Sequence, residues 1–230
     1  MDDDYLSGFT ALLVQYDVLG AFWTNIQLTF FGALLALVVG TVLAVMRISP
    51  LPSLAWAGGA YVNIVRNTPL TVIMTFLVLG AWTQLGLSLS TNFTWNFFWF
   101  GVVGLGFYHA SFVCEAIRAG VNTVPVGQAE AARAIGLPFL SAARLVILPQ
   151  AFRGAIAPLG NTLIALLKNS TVAAAASVTW ETSSVMKTMI EFQPNYIWEI
   201  FLTFAIGYVI LVIPIGLLTT WMSNRLAVKR

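Results

Sequence analysis

Charged residues are distributed along this chain so that long apolar segments remain between them. Residues 18–46 and 67–114 contain no Asp, Glu, Lys or Arg, and residues 154–180 contain only Lys168. A membrane-spanning helix needs roughly 20 mainly apolar residues. The runs are apolar throughout, whereas barrel strands would alternate polar and apolar positions. The pattern therefore predicts an all-α polytopic membrane protein with five transmembrane helices, at about residues 22–46, 68–86, 97–117, 154–178 and 198–222.

The composition supports a membrane protein. Hydrophobic residues make up 59% of the chain and charged residues 9%, against about 25% charged residues in soluble domains. The formal net charge of +2 is too small to indicate a nucleic-acid partner. One cysteine and one histidine exclude an internal disulfide and the usual Cys/His zinc motifs. The whole of residues 1–230 is interpreted as a single transmembrane domain.

The basic residues predict the orientation of the spans. With the N-terminus outside and the C-terminus in the cytoplasm, eight of the eleven Lys and Arg fall on inside segments. Only Lys187 falls outside, and Arg66 and Lys168 belong to neither group. Cytoplasmic loops carry the excess of Lys and Arg in membrane proteins. The inside residues are Arg47, Arg118, Arg133, Arg144, Arg153, Arg225, Lys229 and Arg230.

The longest predicted inside segment, the 119–153 loop, has its own helical pattern. Pro125 suits a helix start, and residues 126–135 are rich in good helix formers. Gly136 suits the left-handed position that ends a helix. A second helix is expected over residues 139–147, with Pro149 stopping it. A structured loop between spans indicates a docking surface for another protein.

The same loop carries a motif with fixed spacing. Glu130-Ala131-Ala132 is followed after three residues by Gly136 and, after nine more, by residues 146–149, Val-Ile-Leu-Pro. This pattern closely resembles the EAA loop of binding-protein-dependent ABC importer permeases, with Val146 in place of the family's Ile. Residues 66–70, 148–153 and 168–171 are similar to the branch of that family that carries polar amino acids.

The resemblance implies a type I ABC importer permease fold and a non-catalytic role. It implies that the loop forms a coupling helix seated on a cytoplasmic ATP-binding subunit, which holds the ATP and Mg, so that this chain needs no cofactor. The implied partners are that ATPase, a second permease subunit of identical or different sequence, an extracytoplasmic substrate-binding protein and the lipid bilayer. The implied ATPase-coupling residues are Glu130, Ala131, Ala132, Arg133, Gly136, Leu137, Pro138 and Arg144.

Polar residues inside the predicted spans are candidates for the translocation path. A lysine at a helix centre costs about 2.5–3.5 kcal/mol on insertion scales, so Lys168 should face water or a partner rather than lipid. Either it meets a substrate carboxylate, or it locks the helices together or reaches an interface. Arg66 either lines the path or sits at headgroup level on an elbow at residues 54–65. The full candidate set is Lys168, Asn169, Ser170, Thr171, Asn67, Thr68 and Arg66.

Glu115 and Arg118 are three residues apart at the end of the predicted third span and are expected to form an ion pair.

The sequence favours transport over catalysis. No P-loop, G-x-S-x-G or H-E-x-x-H motif is present. The predicted function is that of a permease subunit of an ATP-driven amino-acid importer in the bacterial inner membrane. Glutamate or a related polar amino acid is favoured as substrate, because Lys168 is cationic and the chain resembles glutamate and glutamine permeases. The alternative is an ion-gradient-driven secondary transporter or channel, which would not need the 119–153 loop.

Overall fold

The computed structural model describes residues 3–226, with side chains from residue 7. Every regular element in that range is helical, which confirms the all-α prediction. The helices are α1 (Asp3–Gln15), α2 (Val18–Ile48), α3 (Pro52–Asn67), α4 (Leu70–Phe76), α5 (Phe93–Val121), α6 (Val126–Ala134), α7 (Phe139–Ala142), α8 (Leu148–Gly154), α9 (Ile156–Asn169), α10 (Thr182–Phe192) and α11 (Ile197–Leu226). Two of them continue as π turns: α4 at Leu77–Gln84 and α7 at Ala143–Ile147. A 3-10 turn follows α9 at Ser170–Ala176, and another precedes α11 at Pro194–Tyr196. Lys229 and Arg230, which the orientation prediction uses, lie outside the described residues.

Three helices in the described part are long and apolar enough to cross a membrane, and two bent helix pairs bring the number to as many as five. The predicted spans 22–46, 97–117 and 198–222 lie within α2, α5 and α11. The predicted span 68–86 overlaps α4 and its π turns, which follow α3 after a break at Thr68 and Pro69. The predicted span 154–178 covers α9, which is bent by 66° from the preceding helix.

The chain forms two compact units. The first contains the described residues through Gly32 together with Leu70–Leu105 and Leu166–Ile213. The second contains Ala33–Pro69, Gly106–Ala165 and the described residues from Pro214 onward. The long helices α2, α5 and α11 each contribute to both units.

A buried apolar cluster anchors α1 in the first unit. Leu12 and Val18 pack there against Met189, Ile200 and Phe204 from α10 and α11. The ring of Phe9 lies 5.7 Å from that of Tyr196. The first helix is thus held to α10 and α11 by side-chain packing, and the start of α2 is fixed with it.

Close helix contact in the second unit depends on small residues. A side chain at Gly40 would place its Cβ 2.6 Å from Cβ of Val113 and 2.8 Å from the Ala110 carbonyl oxygen. Small residues allow helix backbones to approach in membranes, where packing replaces the hydrophobic effect as the source of association. Gly40 therefore sets the approach of α2 to α5.

The expectation that Pro149 stops the second loop helix is wrong. After α7, the chain continues through the π turns directly into α8, and Pro149 lies in its first turn. A proline lacks an N–H and crowds the carbonyl four residues earlier in a regular helix. The π turn bonds Leu148 N–H to the Ala143 carbonyl instead, and the Gln150 side chain donates to the Val146 carbonyl at 2.8 Å.

Candidate functional site

The 119–153 loop is a helical hairpin whose turn has a defined capping geometry. Pro125 precedes α6, and Gly136 follows its end with φ of 83°. Leu137 N–H donates to the Ala132 carbonyl at 3.1 Å and Gly136 N–H to the Arg133 carbonyl at 3.0 Å. This bond pair is the Schellman motif, which needs a left-handed residue at the position of the glycine. The predicted turn at Gly136 is confirmed.

The predicted coupling residues form an exposed surface on this hairpin. Ala132 is the exception, because it is buried against the rest of the hairpin, and Leu137 is half-buried. Among the side chains of residues 7–226, no ion pair involves Glu130, Arg133 or Arg144. Their charges are therefore available to a partner rather than used inside the described part. The exposed members are Glu130, Ala131, Arg133, Gly136, Pro138 and Arg144.

A side-chain hydrogen bond joins the two arms of the hairpin, α6 and the returning α7–α8 segment. The Gln150 side-chain amide donates to Oε1 of Gln128 at 2.5 Å, which joins α8 to α6. Ala142 and Ala143 are buried on the returning arm, as Ala132 is on α6. Small side chains at these positions allow the arms to pack closely, so that the exposed residues of both arms form one continuous surface.

The hairpin is also fixed to the end of α5. A Cβ at Gly120 would clash with the Ala151 carbonyl oxygen, so only glycine permits this approach of α5 to α8. Thr123 Oγ1 donates to the Gly120 carbonyl at 2.7 Å and closes the end of the helix. The hairpin is therefore packed directly against the end of α5, one of the candidate membrane spans.

An ion-pair cluster ties α2 to α5 in the second unit. Arg118 Nη1 lies 3.1 Å from Glu115 Oε2, which confirms the pair expected from their spacing. The guanidinium of Arg47 also pairs with Glu115, through Oε1. Sequence reasoning missed this second arginine because 68 residues separate it from Glu115. The carboxylate is thus shared by two cations at the ends of two long helices.

The candidate path residues on α9 divide into exposed and buried groups. Lys168 is exposed, and no carboxylate in the described part lies in ion-pair range of it. Thr171 Oγ1 donates to the Lys168 carbonyl at 2.9 Å, and Asn169 is half-buried. Ser170 is fully buried and donates to the Leu167 carbonyl at 2.7 Å. The exposed ammonium of Lys168 is therefore the charged group that this part of the chain offers to a ligand.

A polar face on α9 accompanies Lys168. Asn161 is exposed and lies seven residues earlier, two helical turns away on the same side of the helix. Asn161 lines a cavity of about 240 Å³ with Thr220, Ser223 and Asn224 of α11. Sequence reasoning did not select Asn161, although its spacing from Lys168 was a usable signal.

At the end of α3, the side chains of the path candidates Asn67 and Thr68 form hydrogen bonds within their own helix. Asn67 Nδ2 donates to the Asn63 carbonyl at 2.7 Å, and Thr68 Oγ1 donates to the Ile64 carbonyl at 2.9 Å. The Arg66 guanidinium lies 5.1 Å from the centre of the Phe112 ring. The structure therefore gives Arg66 a cation–π partner on α5. It brings these three residues together at the junction of α3 with α4.

A buried polar network in the first unit was not predicted. Asn25 Nδ2 donates to Ser170 Oγ at 2.7 Å, and Asn25 Oδ1 accepts the Thr182 backbone N–H at 2.9 Å. The hydroxyls of Thr182 and Tyr208 are 2.6 Å apart. Glu181 is 0% exposed and caps α10, accepting backbone N–H groups from the two serines that follow Thr182 at 2.8 and 2.6 Å. This network joins α2, the end of α9, α10 and α11.

Glu181 lies between α9 and α10, outside the candidate spans. Burial raises the pKa of its carboxyl above the ordinary value of 4.5, because the charged form loses solvation. The backbone N–H groups of Ser183 and Ser184 oppose this effect on the pKa, since they stabilise the carboxylate. The network therefore holds an acid that retains its proton to higher pH than in water.

Neither metal ligation nor a reactive thiol is indicated by the described side chains. Among the side chains that the structure describes, residues 7–226, no group of three or more His, Cys, Asp or Glu could hold a metal ion. His109 and Cys114 are both buried on α5. His109 packs edge-on against the Tyr108 ring at 5.2 Å. Both residues are placed for helix packing.

The apolar helices and the exposed, anchored hairpin define a membrane-embedded permease. The chain belongs to the family described as binding-protein-dependent transport system inner membrane component, whose model matches residues 32–228. Over 218 residues it is 47% identical to the glutamate transport system permease protein GluC of Corynebacterium glutamicum, covering 93% of this chain and 95% of that protein. It is 33% identical over 220 residues to the probable glutamine ABC transporter permease protein GlnM of Bacillus subtilis, covering 93% and 96%.

Solved structures of importers share the fold. One is the crystal structure of an amino acid ABC transporter with histidines, which matches with a TM-score of 0.75 at 26% identity and covers 98% of this chain and 99% of that one. Another is an inward-facing structure of the MetNI methionine ABC transporter, with a TM-score of 0.74, 23% identity and coverage of 99% and 100%. The chain therefore has the permease fold of these type I importers and is an inner-membrane transport component.

Proposed function

We propose that this chain is the permease subunit of an ATP-driven importer for glutamate or a closely related polar amino acid, and that it forms half of the translocation pathway. The observation that carries this proposal is the 47% identity to a glutamate transport permease over 93% of the chain. The chain itself performs no covalent chemistry. It lowers the barrier to crossing, and ATP hydrolysis on another subunit drives the cycle.

Lys168 supports an anionic substrate. Its ammonium is exposed on α9 and no carboxylate of the described part neutralises it. An unneutralised cation inside an apolar segment is costly, and a substrate carboxylate entering the path removes that cost by forming a charge-assisted hydrogen bond. Asn161, two turns away on the same face, adds an amide that can hydrogen-bond to the substrate. Asn169, Thr171 and the group at the α3–α4 junction complete the proposed path.

The 119–153 loop is the proposed site of coupling to the ATPase. Its exposed Glu130, Arg133 and Arg144 have no ion-pair partner among the described side chains of residues 7–226 and are available for charge-assisted bonds with a partner subunit. The Gly120–Ala151 contact then passes movement of the loop to α5. In this proposal the ATPase carries ATP and Mg, a second permease of identical or different sequence completes the pathway, and an extracytoplasmic binding protein delivers the substrate.

The proposed orientation has the N-terminus outside and the C-terminus in the cytoplasm, so that the loop faces the ATPase. Cysteine labelling tests it, since the single native cysteine, Cys114, is buried. An Ala131→Cys variant should react with a membrane-impermeant maleimide in inside-out vesicles and stay unlabelled in intact cells. A Lys187→Cys variant on α10 should show the reverse. Labelling of position 131 from outside would overturn the proposed coupling.

Reconstitution tests the transport function. The complex purified from native membranes should contain an ATPase, and in liposomes it should take up glutamate when ATP and the binding protein are supplied. Lys168→Met should lower glutamate uptake by about tenfold, the loss of one charge-assisted bond. Lys168→Arg should retain most uptake. Lys187→Met, at an exposed position on α10, is the control. Equal uptake by the Lys168→Met variant would remove Lys168 from the path.

A second comparison separates this proposal from an ion-gradient transporter. Glu130→Arg reverses the charge of an exposed residue on α6 and should abolish ATP-dependent uptake while the subunit still assembles in the membrane. The control is Glu191→Gln, at an exposed position on α10. Uptake that continues in ATP-free liposomes under an imposed ion gradient, unaffected by Glu130→Arg, would overturn the proposal.

A further inference from the structure

An apolar groove opens in the first unit where α1 ends and α2 begins. Its volume is about 710 Å³, within the range of roughly 300–1,000 Å³ of small-molecule pockets. Val14 and Leu19 at its rim are 81% and 83% exposed. Phe22 of α2 and Ile206 and Ile210 of α11 extend the lining. Ile206 and Ile210 are 55% and 62% exposed, so much of the apolar lining is left uncovered by the first unit.

The groove runs from a helix terminus into two candidate membrane spans. Asp17 lies at one end, immediately before α2 begins, and Ile210 lies fourteen residues into α11. Among its lining residues Asp17 is the only ionisable one. Thr203, the other polar side chain, already donates to the Glu199 carbonyl at 2.7 Å. The groove consequently has one charged end and a long apolar interior.

The Asp17 carboxylate is available to a ligand. Its backbone has φ of 46°, and its Oδ1 accepts the Gly20 N–H at 3.2 Å, so the side chain is held at the start of α2. The residue is exposed, and no Lys or Arg side chain of the described part lies in ion-pair range of it. A fixed carboxylate at the mouth of an apolar groove attracts a cation and repels an anion.

We propose that this groove binds a phospholipid with an ammonium headgroup. The ammonium pairs with Asp17, and an acyl chain lies along Phe22, Ile206 and Ile210. The match is one of charge and position, because the carboxylate stands at the end of a membrane span, where headgroups lie, and the apolar lining continues at hydrocarbon depth. Anionic lipids such as phosphatidylglycerol meet the same carboxylate with net repulsion. The site is separate from the proposed substrate path.

Native mass spectrometry of the purified transporter tests the proposal, with phosphatidylethanolamine and phosphatidylglycerol of matched chains offered together. The natural protein should retain the ammonium lipid preferentially. Asp17→Asn should reduce that preference by about two- to fivefold, the effect of one exposed ion pair. Asparagine tolerates the positive φ and its side-chain oxygen can still accept the Gly20 N–H, so folding is preserved. Glu191→Gln on α10 removes an equal charge outside the groove and should leave the preference unchanged.

Two further variants test the apolar part of the groove independently of the contact between Asp17 and the headgroup. Val14→Trp at the exposed rim should lower retention of both lipids. Val14→Cys should not form a disulfide-linked product with another protein copy under mild oxidation. A preference for phosphatidylethanolamine that survives Asp17→Asn would overturn the proposal, as would equal retention of both lipids by the natural protein. Efficient Val14→Cys cross-linking would overturn it too, because the groove would then be a protein interface.

Discussion

Asn25 accepts the backbone N–H of Thr182 at 2.9 Å, although 157 positions separate the two residues in the chain. The same amide donates to Ser170. One side chain therefore satisfies the first turn of α10 and the end of α9 from within α2. In a segment surrounded by apolar side chains, this contact fixes which helices pack together.

Replacing Asn25 by leucine should destabilise the protein by about 1–2 kcal/mol, because the buried Thr182 N–H loses its acceptor and the buried Ser170 hydroxyl loses the donor from Asn25. The measurement is thermal unfolding of the purified protein in detergent. Thr41→Val on the same helix is the control, since that hydroxyl only donates to the Leu37 carbonyl. Equal unfolding temperatures for Asn25→Leu and the control would show that the network contributes no stability.

Glu181 should make stability depend on pH. The pKa of its carboxyl is raised in the folded protein by burial. Below the ordinary value of 4.5 the carboxyl is protonated in both states, and as pH rises the unfolded chain ionises first. The contribution of this carboxyl to stability is therefore fully present at low pH and is lost as the pH rises through the folded pKa.

Comparison with Glu181→Gln isolates this effect, because the variant cannot titrate at that position. The stability of the natural protein minus that of the variant should decrease from pH 4.5 towards neutrality. Unfolding temperatures of both proteins across that range provide the measurement. A difference that grows with pH would mean that the buried carboxylate is charged and that its N–H donors outweigh burial.

Gly136 should be needed for coupling. At φ of 83° alanine costs about 1 kcal/mol or more, so Gly136→Ala should distort the hairpin turn and lower binding-protein-stimulated ATP hydrolysis several-fold. Gly86→Ala is the matched control, because Gly86 also has positive φ, at 64°, and has open space around its Cβ position, but lies between α4 and α5. If both variants lose the same activity, the loss reflects general destabilisation and not the hairpin.

Gly120 should be intolerant of any side chain. A Cβ at this position would clash with the Ala151 carbonyl oxygen, which belongs to the backbone and cannot rotate away. Gly120→Ala should therefore lower stability by about 1–3 kcal/mol, as overpacking does. Gly59→Ala in α3, where nothing lies within 4 Å of the Cβ position, should be neutral or stabilising. An unchanged unfolding temperature for Gly120→Ala would contradict the described contact of α5 with α8.

Features set by neighbouring residues were predictable from the sequence. The turn at Gly136 follows from a glycine placed after good helix formers. The Glu115–Arg118 pair follows from helical spacing. The break near Thr68 and Pro69 follows from the effect of proline on the preceding residue. In each case the determining groups lie within a few residues of one another, so the local pattern contains the necessary information.

Features set by distant partners were not predictable. The Asn25–Glu181 network and the Arg47–Glu115 pair join residues far apart in sequence, and their residue types alone have many alternative partners. The continuation of the helix through Pro149 was missed for a related reason. A π turn and the Gln150 side chain compensate the proline there, and neither is signalled by the proline itself. Tertiary context decides such positions.

The lengths of the continuous helices relate this fold to the thickness of its membrane. α2, α5 and α11 contain 31, 29 and 30 residues, which corresponds to roughly 45 Å at 1.5 Å per residue. A bilayer's hydrocarbon layer is only about 30 Å thick. These helices must therefore tilt or project into the headgroup layers, and hydrophobic mismatch becomes a variable that acts on all three of them at once. Lipids of different chain length will therefore shift the tilt of these helices together, without any change in the amino-acid sequence.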